Sequence, residues 1–307
     1  MSRSESSFLD GKTAIVTGYG GVGYEVALAL ALRGAAVVVA GRDESKGRAA
    51  VERIERELEG EDARQGLDRR FPGAAFEMLD LFDPSSTRDF AARVIASRDH
   101  VDMIFCVAGV MMPDELGLTS AGVERQFAVN YLGHYELVGR LMPLLRASDG
   151  ARVVTVSSIA NRPTRFDLAD AVAARDYVPS ISYALSKLCC LMYALELNRR
   201  FPFVRACCAH PGLARTNLFS GSKGFTMSLL RVIFFVFPFI RQSARAAARP
   251  VLYAALSPDA VGGAYYGPMF AFAGPPRRAL TPLRARNERL RERMWTVSEE
   301  LTGVKYE

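Results

Sequence analysis

Apolar residues in this chain gather into seven short runs. They are 12–18 (KTAIVTG), 35–41 (AAVVVAG), 74–81 (AAFEMLDL), 101–109 (VDMIFCVAG), 151–158 (ARVVTVSS), 203–212 (FVRACCAHPG) and 262–267 (GGAYYG). Runs of this length, bounded by Gly, Asp or Pro, predict strands buried on both faces. Between them the apolar positions switch to helical spacing, which predicts helices over 23–34, 43–60, 84–99, about 121–146, 182–201 and 242–257. Gly34 stops the first helix and Asp43 heads the second as an N-cap. The stretch 61–73 (EDARQGLDRRFPG) reads as a polar loop.

Strands apolar throughout and separated by helices imply a parallel sheet covered on both sides. Right-handed crossovers make it doubly wound. The predicted fold class is therefore α/β, a single Rossmann-like sheet of about seven strands flanked by helices. No internal repeat and no linker divides it. The expected organisation is one domain over residues 1–307, with a flexible stretch at 1–10 and a C-terminal substrate flap at 213–243.

Composition narrows the function. Half of the residues are apolar, which is ample for a core, and the net charge of +6 is a modest surplus. Part of that surplus sits in 275–295 (PPRRALTPLRARNERLRERMW), which reads as a solvated helix whose arginines pair with its own Glu288 and Glu292. Nucleic acid as a partner would want a denser basic face with interleaved aromatics, so none is expected. Cys106, Cys189, Cys190, Cys207 and Cys208 all lie in apolar runs and have neither disulfide nor zinc spacing. The three histidines form no metal-ligand pattern either. A reduced, intracellular protein is expected, cytoplasmic or peripheral on a membrane. The start has no signal-peptide pattern. The most apolar stretch, 225–240, is interrupted by Arg231 and bent by Pro238.

The first strand ends in VTGYGGVGYE, where Gly18, Gly20 and Gly23 satisfy G-x-G-x-x-G between a strand and a helix. The turn Gly18, Tyr19, Gly20, Gly21, Val22, Gly23 would let the backbone approach a pyrophosphate at the helix N-terminus. At the end of the second strand the chain reads Gly41-Arg42-Asp43. Arg42 suits a 2′-phosphate, so NADP(H) is preferred; with Asp43 on the ribose, NAD(H) stays open. Asp80, followed by Leu81, falls where an adenine would lie, though capping of the next turn explains Asp80 nearly as well.

Tyr183 and Lys187 stand four apart in SISYALSKLCCL and share one helical face. At about 5 Å and an effective dielectric of ~20, an ammonium favours a phenolate by ~3 kcal/mol. Such a phenol can exchange a proton during turnover. Ser157 and Ser158 end the 151–158 strand, where ligands of open α/β sheets bind, and a hydroxyl there can donate to a carbonyl oxygen.

Tyr183-x-x-x-Lys187, Ser158, Asn130 in FAVNYLGH and the run HPGLARTNL together resemble the short-chain dehydrogenase/reductase family over almost the whole chain. Within it, VNYLGHYEL, SKLCCLMYALEL and MWTVSEELTGV are similar to the branch of retinol dehydrogenases and WW-domain oxidoreductases. The resemblance implies Tyr183 as general acid/base, Lys187 on the nicotinamide ribose, Ser158 as the polarising hydroxyl and Asn130 as holder of a relay water. It also implies Ala108 and Gly109 beside the cofactor, and Pro211, Gly212 and Thr216 at the nicotinamide end. Two departures stand out. The glycine turn is one residue shorter than the family's, and Cys106-Val107-Ala108-Gly109 replaces Asn-Asn-Ala-Gly. Weaker or altered cofactor binding is the expected result.

The segment 218–241 is apolar, carries Phe225, Phe234, Phe235, Phe237 and Phe239, and stands where the family has its substrate flap. A flap over an apolar pocket, contact with a membrane surface through 225–241 with Arg231 and Arg241 at the headgroups, and a homodimer contact are its three readings. All lean to a small lipophilic substrate, retinoid-, steroid- or long-chain-aldehyde-like. Phe166 and Tyr177 are candidates for a pocket mouth, against simple loop anchoring. The expected activity is NADP(H)-dependent interconversion of a carbonyl and an alcohol. A redox-silent nucleotide-binding scaffold and a double-bond reductase or cyclase using the same site remain alternatives.

Overall fold

A computed structural model describes residues 8–65, 72–163, 168, 172, 177–213 and 242–307. Among the described residues, eight strands form one sheet: β1 Thr13–Thr17, β2 Ala36–Gly41, β3 Ala74–Met78, β4 Met103–Cys106, β5 Arg152–Val156, β6 Arg205–Ala209, β7 Tyr265–Pro268 and β8 Pro276–Arg278. Their order is β3-β2-β1-β4-β5-β6-β7-β8, parallel up to β7, with β8 antiparallel at the edge. The order reverses between β1 and β4, so a crevice opens at their carboxyl ends, the ligand position in such sheets.

Successive residues of a strand face opposite sides, and here both sides are apolar. Ile15, Ile104 and Val153 pack with Phe127, Leu188 and Tyr193 on one face. Val16, Phe105 and Val154 pack with Leu30, Val39 and Val251 on the other. This is why the strands read as unbroken apolar runs.

Three sequence expectations need correction. The second helix runs Glu44–Gln65, so 61–65 is helical and not loop. Those residues are polar but good helix formers, and Arg64 pairs with Glu61 at 3.0 Å. The helix expected over 121–146 begins only at Arg125, because Gly122 turns the chain with φ +79 and the Glu124 carboxylate caps Phe127 N–H at 2.9 Å. It then widens into a π turn, Ala128–Leu132, and continues as Gly133–Arg140 and Met142–Arg146. Finally, β8 was not foreseen; its Pro-Arg-Arg sequence has no apolar alternation, and it pairs as an edge strand.

The helix Pro179–Arg200 packs on β5 and β6. Among the described residues it alone is long and apolar enough to cross a membrane, and most of it is buried in the molecule. The C-terminal helix Glu288–Thr302 lies against it. The stretch 214–241, which holds nearly all of the expected flap, falls outside the described residues, as does Phe166.

Candidate active site

A cavity of about 680 Å³ opens at the carboxyl edge of the sheet. The glycine turn Gly18–Val22, Arg42, Asp80, Leu81, Ala108, Gly109, Ser158, Tyr183, Lys187, Pro211 and Gly212 line it. The sequence-predicted residues thus come together from six different strand ends and one helix. Gly23 and Asn130 stand behind the lining, and Thr216 lies outside the described residues.

The glycine turn is built for close approach. Gly18 and Gly21 adopt φ +89 and +51, conformations that favour glycine. A Cβ at Gly23 would stand 2.2 Å from the Gly18 carbonyl oxygen, so Gly23 serves the packing of helix on strand. The helix Val22–Ala31 begins at Gly21 with no side-chain cap. Its first amide groups therefore present a positive end toward the cavity, which fits a pyrophosphate. Tyr19 lays its ring over Gly41, where a Cβ would meet Tyr19 Cε1 at 2.4 Å.

At the end of β2, Asp43 is committed to its own helix. Its Oδ1 accepts from Lys46 N at 3.0 Å and its Oδ2 pairs with Lys46 Nζ at 2.7 Å. Those hydrogen bonds from Lys46 hold the carboxyl below the usual range. Arg42, exposed, lines the cavity instead. Asp80 lines the cavity, and its Oδ1 also caps the following turn by accepting from Phe82 N at 3.0 Å.

Tyr183 and Lys187 are both 5% exposed, one turn apart on the helix Pro179–Arg200. Lys187 Nζ donates to the Val156 carbonyl at 2.9 Å, which fixes the ammonium at the end of β5. The paired serines divide their work. Ser157 Oγ donates to the Lys187 carbonyl at 2.6 Å and is buried, tying strand to helix. Ser158 Oγ accepts from Ala160 N at 3.2 Å, which leaves its own proton for a ligand in the cavity.

Asn130, in the π turn, clamps the loop after β4. Its Oδ1 accepts from Val110 N at 2.7 Å, and Nδ2 donates to Val110 O at 3.0 Å and Ser186 Oγ at 2.9 Å. Its carbonyl accepts from His134 Nδ1 at 3.0 Å and Cys190 Sγ at 3.1 Å. With both carbonyl positions taken, only the second acceptor position of Oδ1 remains for a water. Tyr177 is a loop anchor: its hydroxyl donates to Pro113 O at 2.8 Å and the residue does not line the cavity.

The family model for short chain dehydrogenases matches residues 12–223. The chain belongs to the short-chain dehydrogenase family. It is 34% identical over 306 residues to retinol dehydrogenase 13 of Homo sapiens, covering 96% of this chain and 86% of that protein. It is also 34% identical over 306 residues to polyprenol dehydrogenase of Mus musculus, covering 96% and 84%. Among solved structures it is similar to an uncharacterised protein from Mycobacterium paratuberculosis, with 32% identity, TM-score 0.76 and coverage of 100% and 99%. As a short-chain dehydrogenase the chain is an oxidoreductase acting between alcohol and carbonyl, and the family's cofactor is NAD(P).

Sequence reasoning missed several residues of this short-chain dehydrogenase site. Thr17, Val110 and Arg125 also line the cavity, and nothing in their sequence context marks them. The loop that carries Val107 and Ala108 is held by the first strand. Thr17 Oγ1 accepts from Val107 N at 2.9 Å and Ala108 N at 3.0 Å.

Proposed function

We propose that this chain is an NADP(H)-dependent oxidoreductase that interconverts a carbonyl and an alcohol on a lipophilic substrate. One observation carries the reading: Ser158, Tyr183 and Lys187 converge in the cavity that also receives the glycine turn and Arg42. Bound nicotinamide would supply or accept the hydride. Ser158 Oγ–H donates to the substrate oxygen, where negative charge builds, and so lowers the barrier to hydride arrival. Tyr183 Oη gives that oxygen its proton in reduction and takes it back in oxidation. Lys187, held at Val156 O, stands one helical turn from Tyr183 on the same face and lines the cavity with it.

Lipophilicity is argued from the wall. Val110, Met111, Pro113, Ile159 and Leu213 line the same cavity. An apolar wall around a few convergent polar groups suits a hydrophobic alcohol or aldehyde. Two relatives are named for such alcohols, retinol and polyprenol.

Tyr183→Phe removes the proton-carrying oxygen and little else. Turnover of retinal or another apolar aldehyde with NADPH should fall about 10³-fold. NADPH affinity, read by the quenching or enhancement of nicotinamide fluorescence, should stay unchanged. A Phe variant with wild-type turnover would remove Tyr183 from the chemistry.

A further inference from the structure

We propose that His134 is a positioning residue for the nucleotide cleft, presenting a lone pair to Thr17 and a proton to Asn130 so that the loop 107–110 is held in one place. The inference rests on reading the cavity as a nucleotide site.

The argument is a count of protons. Thr17 Oγ1 has one hydrogen and two acceptor positions. Val107 N–H and Ala108 N–H fill both acceptor positions. The hydroxyl hydrogen must then serve its remaining neighbours, His134 Nε2 at 2.9 Å and the more distant Phe105 O at 3.3 Å. His134 Nε2 can therefore only accept. A neutral imidazole that accepts at Nε2 carries its proton on Nδ1, and Nδ1 stands 3.0 Å from the Asn130 carbonyl, which can only accept. Each member fixes the next. The chain runs in one direction, from the Val107 and Ala108 amides through Thr17 and His134 to Asn130, and bonds aligned this way reinforce one another.

Burial supports the neutral form. His134 is 2% exposed, and desolvation, aided by the nearby Lys187 charge, pushes its pKa down to about 4. A protonated ring would aim a second N–H at a hydroxyl whose acceptor positions are already filled.

The consequence falls on the cavity wall. Val107, Ala108, Gly109 and Val110 all line it. Thr17 holds the first two amides, and Asn130 grips Val110 at both N–H and C=O. His134 touches both holders. The wall has little slack: a Cβ on Gly109 would meet Asn130 Oδ1 at 2.9 Å and Lys187 Nζ at 3.3 Å.

Three single variants, one double variant and one spectrum test this. Thr17→Val removes the acceptor for two amides, His134→Leu removes the link, and Thr17→Ser keeps the hydroxyl. NADPH binding should weaken about tenfold in the Val and Leu variants, the worth of a buried hydrogen bond, and the double variant should be hardly worse than either. Thr17→Ser should stay within about twofold of wild type. In the wild-type protein without nucleotide, ¹⁵N NMR should show His134 protonated at Nδ1 and bare at Nε2 between about pH 6 and 8.

A bare Nδ1 overturns the proposal, and so do folded Val and Leu variants with wild-type NADPH affinity or additive losses. If His134→Leu does not fold, Thr17→Val and the spectrum decide alone. Failure of the wild-type protein to bind NADPH would instead sink the cofactor reading, and the tautomer would still decide how Thr17 is held.

Discussion

Single residues with two readings were resolved only by their neighbours. Asp43 and Arg42 both stand at the end of β2, and either could meet a ribose. Lys46 occupies the Asp43 carboxylate, while Arg42 keeps its guanidinium at the cavity. Arg42→Asp should therefore lower the affinity for NADPH relative to NADH by about tenfold or more, since a charge-assisted contact is replaced by repulsion. Paired titrations with the two nucleotides measure it, and an unchanged ratio would take Arg42 away from the 2′-phosphate. The serine pair shows the same limit. Ser157 and Ser158 are chemically alike and both line the cavity, and only the Lys187 carbonyl, brought from another element, takes up the Ser157 proton and leaves that of Ser158 for a ligand.

Elements were legible where pattern and packing agree. β1 to β6 fall within their apolar runs, and β7 passes the end of its run by Pro268 alone, because both faces of the sheet are buried. The strand–turn–helix around the glycines is the best determined, and it makes a clean prediction. Gly23→Ala puts a methyl 2.2 Å from the Gly18 carbonyl, so the turn must shift. NADPH binding should fall by about a hundredfold or more, the loss of roughly two hydrogen bonds from repositioned amides to phosphate. Gly20→Ala is the companion, because a Cβ there meets no protein atom within 4 Å. It should leave the melting temperature unchanged, and any loss of affinity would report how closely the ligand approaches. Elements were illegible where polarity misled. Residues 61–65 look like loop but extend a solvent-facing helix. The π turn at Ala128–Leu132 has no local signature, since its widened geometry accompanies bonds that Asn130 makes to distant residues.

At the scale of the molecule, Arg291, Glu288 and Glu292 of the C-terminal helix pair with the Tyr183 helix and not with one another. Glu196, on the Tyr183 helix, has a fully buried carboxylate that accepts from Arg199, Arg200 and Arg291. Arg199 in turn reaches Glu288 and Glu292. Burial alone would raise the Glu196 pKa, but the hydrogen bonds and charge of Arg199 and Arg200 outweigh it, and the net shift is downward. A depressed carboxyl contributes stability that is complete above its unfolded value, near 4.3, and is lost as pH falls through the folded value. Glu196→Gln should cost about 1–2 kcal/mol at pH 7, because Arg291 loses the charge it pairs with in a largely covered site, while solvent screens the more exposed Arg199 and Arg200. The gap between variant and wild type should close as the pH drops below about 4. Urea unfolding at both pH values measures this, and a pH-independent gap would contradict it. The same fastening continues through Tyr306, whose hydroxyl meets Tyr193 at 2.7 Å and donates to the Tyr135 carbonyl at 2.5 Å. The C-terminal helix thereby braces the element that carries Tyr183 and Lys187.

The amino-acid order by itself determined the sheet, the glycine turn, and the placing of Tyr183 and Lys187 on one helical face, because those depend on periodicity and on residues close in the chain. Tertiary structure decided which serine keeps its proton for the cavity, which charge at β2 lines it, which hydroxyl holds the loop after β4, and where Arg291 of the C-terminal helix goes. Each of those depends on hydrogen-bond partners tens of residues away, and a proton has only one acceptor to satisfy first once the fold has brought several within reach.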